Sequence, residues 1–281
     1  VTETNTICVV SSYPARFLAK DRLSYKVKRS YPYFLYLFVA LLAMTQLTGK
    51  VTLITGIASR IGQATARLFT AAGASVFGVD DDRATGEALA AELQQQQYAF
   101  QFWTADLADP AAIAETIARC QQTYGRIDVL YNNANLSIAE PFNEVSSTTL
   151  ERIMAVNFKA SFSLCQHVIP GMKRRGGGVI INTASELENV AQPLATAYSA
   201  SKGAVLAFTR ALALEYAPDH IRVNVLCPDT IATPVQTSES TQPEGIVLPT
   251  IERFGAPEEV AKVALRFASE VPSLMPGATP I

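Results

Sequence analysis

The sequence predicts an α/β fold: a doubly wound parallel sheet with helices on both faces. Three observations carry this. Short runs of about five residues are apolar almost throughout, they alternate with Ala-rich segments of helical length, and no linker breaks the alternation from residue 45 to residue 281. Unbroken apolarity in so short a run belongs to a strand buried on both faces, as in a parallel sheet. Strict alternation gives βαβ units with right-handed crossovers. A chain of 281 residues accommodates one large domain or two small ones. The unbroken pattern favours a single domain over 44–281, a three-layer αβα sandwich.

In chain order the strand candidates are Val51–Thr55, Ser75–Val79, Ala99–Trp103, Ile127–Tyr131, Val179–Asn182 and Ile221–Leu226. Helical length and composition mark Gln63–Ala72, Ala84–Gln95, Ala111–Tyr124 and Ser199–Tyr216 between them. The low-complexity piece Gln94–Gln97 falls at the end of a predicted helix, where it faces water.

Hydrophobic residues make up 49% of the chain and charged residues 17%, ample for a large core. The net charge is −2, which argues against a basic nucleic-acid surface. Cys8, Cys120, Cys165 and Cys227 form no CxxC pair, and the only histidines are His167 and His220. Metal binding is therefore not expected, and the cysteines read as reduced thiols of a cytoplasmic protein. His167 sits in an apolar helical segment and reads as structural.

The first 43 residues differ from the rest. A basic stretch ending in Lys26-Val27-Lys28-Arg29 precedes an apolar run, Tyr33–Met44. Twelve apolar residues fall short of the roughly 20 that a membrane span needs. The favoured reading is an extension without a fold of its own, with Met44 where a natural start would fall. A membrane contact through 33–44 and a cleaved signal are the competing readings.

The first strand leads into Thr55-Gly56-Ile57-Ala58-Ser59-Arg60-Ile61-Gly62 and then directly into a helix. A strand, a glycine-containing turn and a helix N-terminus together form an anion site: backbone N–H groups and the helix dipole face the ligand, and glycine permits close approach of a pyrophosphate. Gly56, Ser59, Arg60, Ile61 and Gly62 are the candidate phosphate-loop residues. Asp80 stands at the tip of the second strand, where a carboxylate accepts both ribose hydroxyls and repels a 2′-phosphate. NAD is thus favoured over NADP. Asp81 and Asp82 read instead as caps of the following helix.

Tyr198 and Lys202 lie four residues apart at the start of a long helix, on one face. A free tyrosine has a pKa of about 10, and a neighbouring ammonium favours its phenolate and so a general base. Ser185 lies just past the Val179–Asn182 strand, at the carboxyl edge where open α/β sheets bind ligands. Its hydroxyl is the candidate group for holding a substrate oxygen.

These residues resemble the short-chain dehydrogenase/reductase family over 47–281. The glycine motif TGxxxGxG matches at Thr55, Gly56 and Gly62, NNAG matches at Asn132, Asn133 and Ala134, and YxxxK matches at Tyr198 and Lys202. The resemblance implies a Rossmann-type fold and hydride transfer between a nicotinamide cofactor and a secondary alcohol or ketone. It implies a catalytic set of Asn157, Ser185, Tyr198 and Lys202, with Asn157 holding a water of the proton relay. It further implies cofactor contacts from Asp106 (to the adenine), Leu107, Asn133, Ala134, Tyr198, Lys202, Pro228, Ile231 and Thr233. Residues Val235–Pro249 would form the substrate loop, and the chain would be a homo-oligomer, a tetramer or dimer. Trp103 is expected in core packing, with the adenine pocket as the alternative.

Three family glycines are replaced, by Arg60, Asn135 and Asp229. Asn135 is the mildest change, since Asn tolerates left-handed backbone. Arg60 would either contact the pyrophosphate or obstruct it, and Asp229 adds charge beside the nicotinamide loop. The family's acidic-Gly-Gly ending is also missing. Two readings follow: an active oxidoreductase, favoured by the intact Ser/Tyr/Lys/Asn set, and a degenerate relative that keeps the fold as a binding or interaction protein.

Overall fold

The computed structural model describes residues 46–185, 193–228 and 255–269. Among these the chain runs β1 (Val51–Thr55), α1 (Arg60–Ala71), β2 (Ser75–Asp80), α2 (Arg83–Gln95), β3 (Phe100–Thr104), α3 (Pro110–Tyr124) and β4 (Val129–Asn132). It continues through α4 (Ser147–Met154), a π-turn (Ala155–Lys159), α5 (Ala160–Arg174), β5 (Gly178–Thr183), α6 (Thr196–Tyr216), β6 (Ile221–Leu226) and α7 (Pro257–Ala268). The strands form one sheet, all parallel, in the order β3-β2-β1-β4-β5-β6. That is the Rossmann order, with the winding reversing between β1 and β4.

Alternate strand residues feed two cores, as the period of two dictates. Leu53, Phe77, Val79, Leu130, Ile180 and Val223 pack under α3, α5 and α6. Ile54, Val76, Phe100, Tyr131, Ile181 and Leu226 pack under α1, α2 and α7. The layers are therefore helix, sheet, helix. A buried polar chain crosses the first of these layers: Asn132 Nδ2 donates to Asn182 Oδ1 at 2.8 Å, and Asn182 Nδ2 donates to Thr209 Oγ1 at 2.8 Å. It ties β4 and β5 to α6.

Several boundaries move from the sequence expectation for local reasons. Helix α1 begins at Arg60 rather than Gln63, because Ser59 caps it by accepting the Gly62 N–H at 3.0 Å. Strand β4 begins at Val129 rather than Ile127. Asp128 instead spends its carboxylate on the Val51 N–H at 2.8 Å and on Arg126 at 2.9 Å. Gln94–Gln97 is exposed, as expected. Among the described residues no helix is long and apolar enough to cross a membrane. The apolar run 33–44, Cys8, Asp229, the substrate loop and the C-terminal tail lie outside them. Cys120, Cys165 and Cys227 are buried, and burial pushes the thiols of Cys120 and Cys165 up to about 12.

A Cβ on Gly62 would stand 2.2 Å from the Gly56 carbonyl oxygen, whereas one on Gly203, inside α6, meets nothing within 4 Å. Gly62→Ala is expected to lower stability by about 1–3 kcal/mol through overpacking. Gly203→Ala is expected to raise it by up to about 1 kcal/mol through helix propensity. Denaturant melts of the two variants check the opposite signs.

Candidate active site

In an open α/β sheet the ligand crevice opens at the carboxyl ends of the strands where the winding reverses, here between β1 and β4. The structure closes that seam with hydrogen bonds. Thr55 Oγ1 accepts the N–H groups of Asn133 at 3.0 Å and Ala134 at 3.1 Å. Asn133 Nδ2 donates back to the carbonyls of Thr55 at 3.1 Å and Gly56 at 2.9 Å, and reaches Ser59 Oγ at 3.2 Å. The Ser59 hydroxyl donates to the Gly56 carbonyl at 2.7 Å. Gly56 has φ +67°, and a Cβ there would lie 2.7 Å from Ala134 Cα. This glycine answers both a left-handed backbone and a close approach of two chain segments. Arg60 and Ile61 open α1 beside this turn, Arg60 exposed and Ile61 half-buried. Asn135 is not among the residues with positive φ, so its replacement of glycine needs no left-handed tolerance.

Asp80 ends β2, half-buried. Its Oδ2 accepts the Ala58 N–H at 2.8 Å and its Oδ1 the Asp82 N–H at 3.1 Å. Burial pushes its carboxyl upward. The two N–H groups oppose that shift, and neighbouring Asp81 adds to it. A carboxylate offers about four acceptor positions, so about two are left for a pair of hydroxyls. The remaining acceptor positions thus fit the hydroxyls of an adenosine ribose. Asp82 is the N-cap of α2, accepting the Thr85 N–H at 3.1 Å, while Asp81 stands 4.0 Å from Arg152. Asp106, after β3, accepts the Ala108 N–H at 2.9 Å and binds Arg152 Nη1 at 2.7 Å, with Leu107 buried beside it. Trp103 packs against the α3 side of the core, with the Arg119 guanidinium 3.6 Å from its ring centre.

Tyr198 and Lys202 are both buried in the first turns of α6, and Lys202 Nζ lies 5.7 Å from the Tyr198 ring centre. The ammonium also donates to the Thr183 carbonyl at the end of β5, at 2.9 Å. Ser185 follows two residues later, 8% exposed. Asn157 sits in the π-turn between α4 and α5, a distortion frequent at functional sites. Its side-chain amide makes three hydrogen bonds. Oδ1 accepts the Leu136 N–H at 2.7 Å, and Nδ2 donates to the Leu136 carbonyl and to Ser201 Oγ, each at 2.9 Å. Ser201 Oγ in turn donates to the Tyr198 carbonyl at 2.7 Å. Asn157 is thereby a strut between the segment after β4 and the helix bearing Tyr198. Pro228 lies two residues past β6, half-buried, while Ile231 and Thr233 fall outside the described residues. His167 is exposed on α5, its Nδ1 2.7 Å from the Ser163 carbonyl oxygen. Sequence reasoning missed Arg152, Thr183 and Ser201. The spacing of Ser201 from Tyr198 was visible, but nothing in the sequence tied Arg152 to an acid 46 positions away.

A glycine turn at the switch point of the sheet, a carboxylate at the tip of β2 and a buried Tyr/Lys pair fit an oxidoreductase. The chain belongs to the short chain dehydrogenase family, whose model matches residues 50–244. It is 34% identical over 236 residues to D-threitol dehydrogenase of Mycolicibacterium smegmatis, covering 83% of this chain and 91% of that protein. It is 35% identical over 234 residues to the 3-oxoacyl-[acyl-carrier-protein] reductase FabG of Thermotoga maritima, covering 83% and 95%. The NAD-dependent glycerol dehydrogenase of Listeria innocua is 33% identical over 234 residues, with 82% and 91% covered. Among solved structures, the crystal structure of gox2181 superposes with a TM-score of 0.79 at 27% identity, covering 85% of this chain and 95% of that one. The protein is thus an oxidoreductase acting on alcohols or ketones.

The Arg152 guanidinium holds the Asp106 carboxyl below its ordinary range. The pair therefore stabilises the fold above the unfolded carboxylate pKa of about 4, and that contribution is lost as pH falls through the lower folded value. Both groups are substantially exposed, 40% and 46%, so the pair is worth about 0–1 kcal/mol at low salt. Arg152→Gln is expected to lower the melting temperature slightly at neutral pH, and by less at about pH 2. Melts at the two pH values check this.

Proposed function

We propose that this chain is an NAD-dependent dehydrogenase/reductase of secondary alcohols and ketones in which Tyr198 is the general acid and base. The observation that carries the reading is the buried Lys202 ammonium, 5.7 Å from the Tyr198 ring centre and held on the Thr183 carbonyl. A cation so placed favours the phenolate. When bound, the nicotinamide supplies the hydride acceptor or donor. In oxidation the Tyr198 phenolate takes the hydroxyl proton and the Ser185 hydroxyl donates a hydrogen bond to the substrate oxygen; in reduction Tyr198 returns the proton. Lys202 brings a positive charge beside the tyrosine and would hold the nicotinamide ribose. Asn157 would hold a water of the proton relay, and its amide, bonded to Leu136 and Ser201, holds α6 against the segment after β4.

Gly56, Ser59, Arg60, Ile61, Gly62, Asn133 and Ala134 would line the pyrophosphate end, Asp80 the ribose, and Asp106 and Leu107 the adenine. Pro228, Ile231 and Thr233 would line the nicotinamide side. The preference for NAD rests on Asp80, whose remaining acceptor positions suit hydroxyls and repel a phosphate. Two relatives are named for polyols, D-threitol and glycerol, which makes polyols the first substrates to try.

The proposal includes one domain over 44–281, a reducing cytoplasmic compartment in keeping with the buried thiols of Cys120 and Cys165, and a homo-oligomer. Apolar surface left on two helices supports the last point: Leu214 on α6 is 81% exposed and Phe162 on α5 is 40% exposed.

Calorimetric titration of NADH and NADPH tests the cofactor reading. The wild type is expected to bind NADH at least about tenfold more tightly than NADPH, and Asp80→Asn to shrink that ratio by removing the charge at nearly constant volume. Equal affinities in the wild type would contradict the role of Asp80.

A further inference from the structure

We propose that Arg60 is a phosphate ligand of the cofactor site, its guanidinium supplying the anion contact that a close backbone approach would otherwise give. This rests on the reading that the crevice holds a nicotinamide dinucleotide.

The glycines of the loop separate into those the fold requires and one it does not. Gly56 and Gly62 are fixed by the protein itself, with Cβ atoms that would fall 2.7 Å from Ala134 Cα and 2.2 Å from the Gly56 oxygen. Position 60 carries no such constraint. It is the first residue of α1, is exposed, and does not have a positive φ. The backbone there does not call for a glycine, and in such loops a glycine at this point serves the close approach of the ligand.

The backbone donors of this loop are largely committed inside the protein. The Ile57 N–H donates to the Val79 carbonyl at 3.2 Å, Ala58 to Asp80 Oδ2 at 2.8 Å, Ser59 to the Gly56 carbonyl at 3.2 Å, and Gly62 to Ser59 Oγ at 3.0 Å. A pyrophosphate arriving here meets few backbone donors and requires others.

Charge points the same way. The first turn of α1 holds no acidic residue, and an arginine at this positive end of the helix opposes the dipole. Helix end and guanidinium are both positive, so an anion arriving at this turn is attracted by both. Direction agrees as well. Helical Cα–Cβ bonds tilt towards the N-terminus, so a side chain on the first helical residue extends past the helix end, over the glycine turn. Guanidinium presents paired donors matched to phosphate oxygens, and its long stem swings aside where a branched side chain would block.

The test is calorimetry on the full chain with NADH, ADP-ribose and adenosine, at low and high salt, for the wild type, Arg60→Gly, Arg60→Gln and Arg60→Lys. Both pyrophosphate ligands are expected to weaken at least about tenfold in the Gly and Gln variants, with Lys intermediate. The salt dependence of binding is expected to flatten when the charge is lost, and adenosine affinity to stay unchanged. Thermal melts establish that each variant is folded, and Gln keeps most of the side-chain length if Gly frays the helix. Binding of NADH by Arg60→Gly as tight as wild type, or tighter, would overturn the proposal and make Arg60 an obstruction. Failure of the folded wild type to bind NADH, NADPH or ADP-ribose would instead overturn the dinucleotide reading itself.

Discussion

The site depends on one seam, the hydrogen-bonded closure of the end of β1 onto the end of β4. A single hydroxyl, Thr55 Oγ1, accepts two backbone N–H groups across it, and a single amide, Asn133 Nδ2, answers in the other direction. Neighbouring parallel strands diverge beyond their carboxyl ends because the chain must leave the sheet for its crossover helices. Without these bonds the two segments would splay, leaving buried donors and acceptors unsatisfied at about 1–3 kcal/mol each. With them, Gly56 is forced against Ala134, the turn is fixed, and Ser59 is placed to start α1. Asp80 extends the same arrangement outward, since the oxygen that holds Ala58 also orients the carboxylate at the mouth of the crevice.

The opposite wall is held by different means. An ammonium buried as deeply as that of Lys202, 1% exposed, is tolerated only with partners, and the Thr183 carbonyl is one. That contact registers α6 against the end of β5, from which Ser185 follows. The Asn132–Asn182–Thr209 chain ties the same helix to β4 and β5 lower in the core, and Asn157 ties its first turns to the segment after β4. The π-turn fits this role: one extra residue in the helix turns the Asn157 amide towards Leu136 and Ser201 at once. The helix bearing Tyr198 is thus pinned at three residues, Ser201, Lys202 and Thr209, in keeping with a site that needs its groups within fractions of an ångström.

Much of the fold was legible because burial on both faces writes itself into consecutive apolar residues. Val51–Thr55 and Ile221–Leu226 came out at their observed bounds, and Asp80 stood out because a charge at the end of such a run needs a reason. Tyr198 and Lys202 were legible because one helical turn brings them together. Other parts were not. The ion pair of Arg152 with Asp106 joins residues from different βα units and leaves no trace in spacing. Helix α1 starts three residues earlier than periodicity suggested, since a serine cap, rather than hydrophobic pattern, sets its first turn. Asn157 was noticed only through family resemblance. Its polar amide in an apolar helix looks like any solvent-facing asparagine until the partners on Leu136 and Ser201 are seen. Asn135 shows the converse, a glycine replacement that seemed to call for left-handed backbone and does not.

The most direct test of the central claim is the rate at which NAD is reduced with a panel of secondary alcohols, polyols first, by the wild type and by Tyr198→Phe, alongside NADH affinity for both. Loss of the acid–base group is expected to slow turnover by about a hundredfold to ten-thousandfold while NADH affinity changes little. Turnover by Tyr198→Phe within a few fold of the wild type would contradict the account and move the proton transfer to another group.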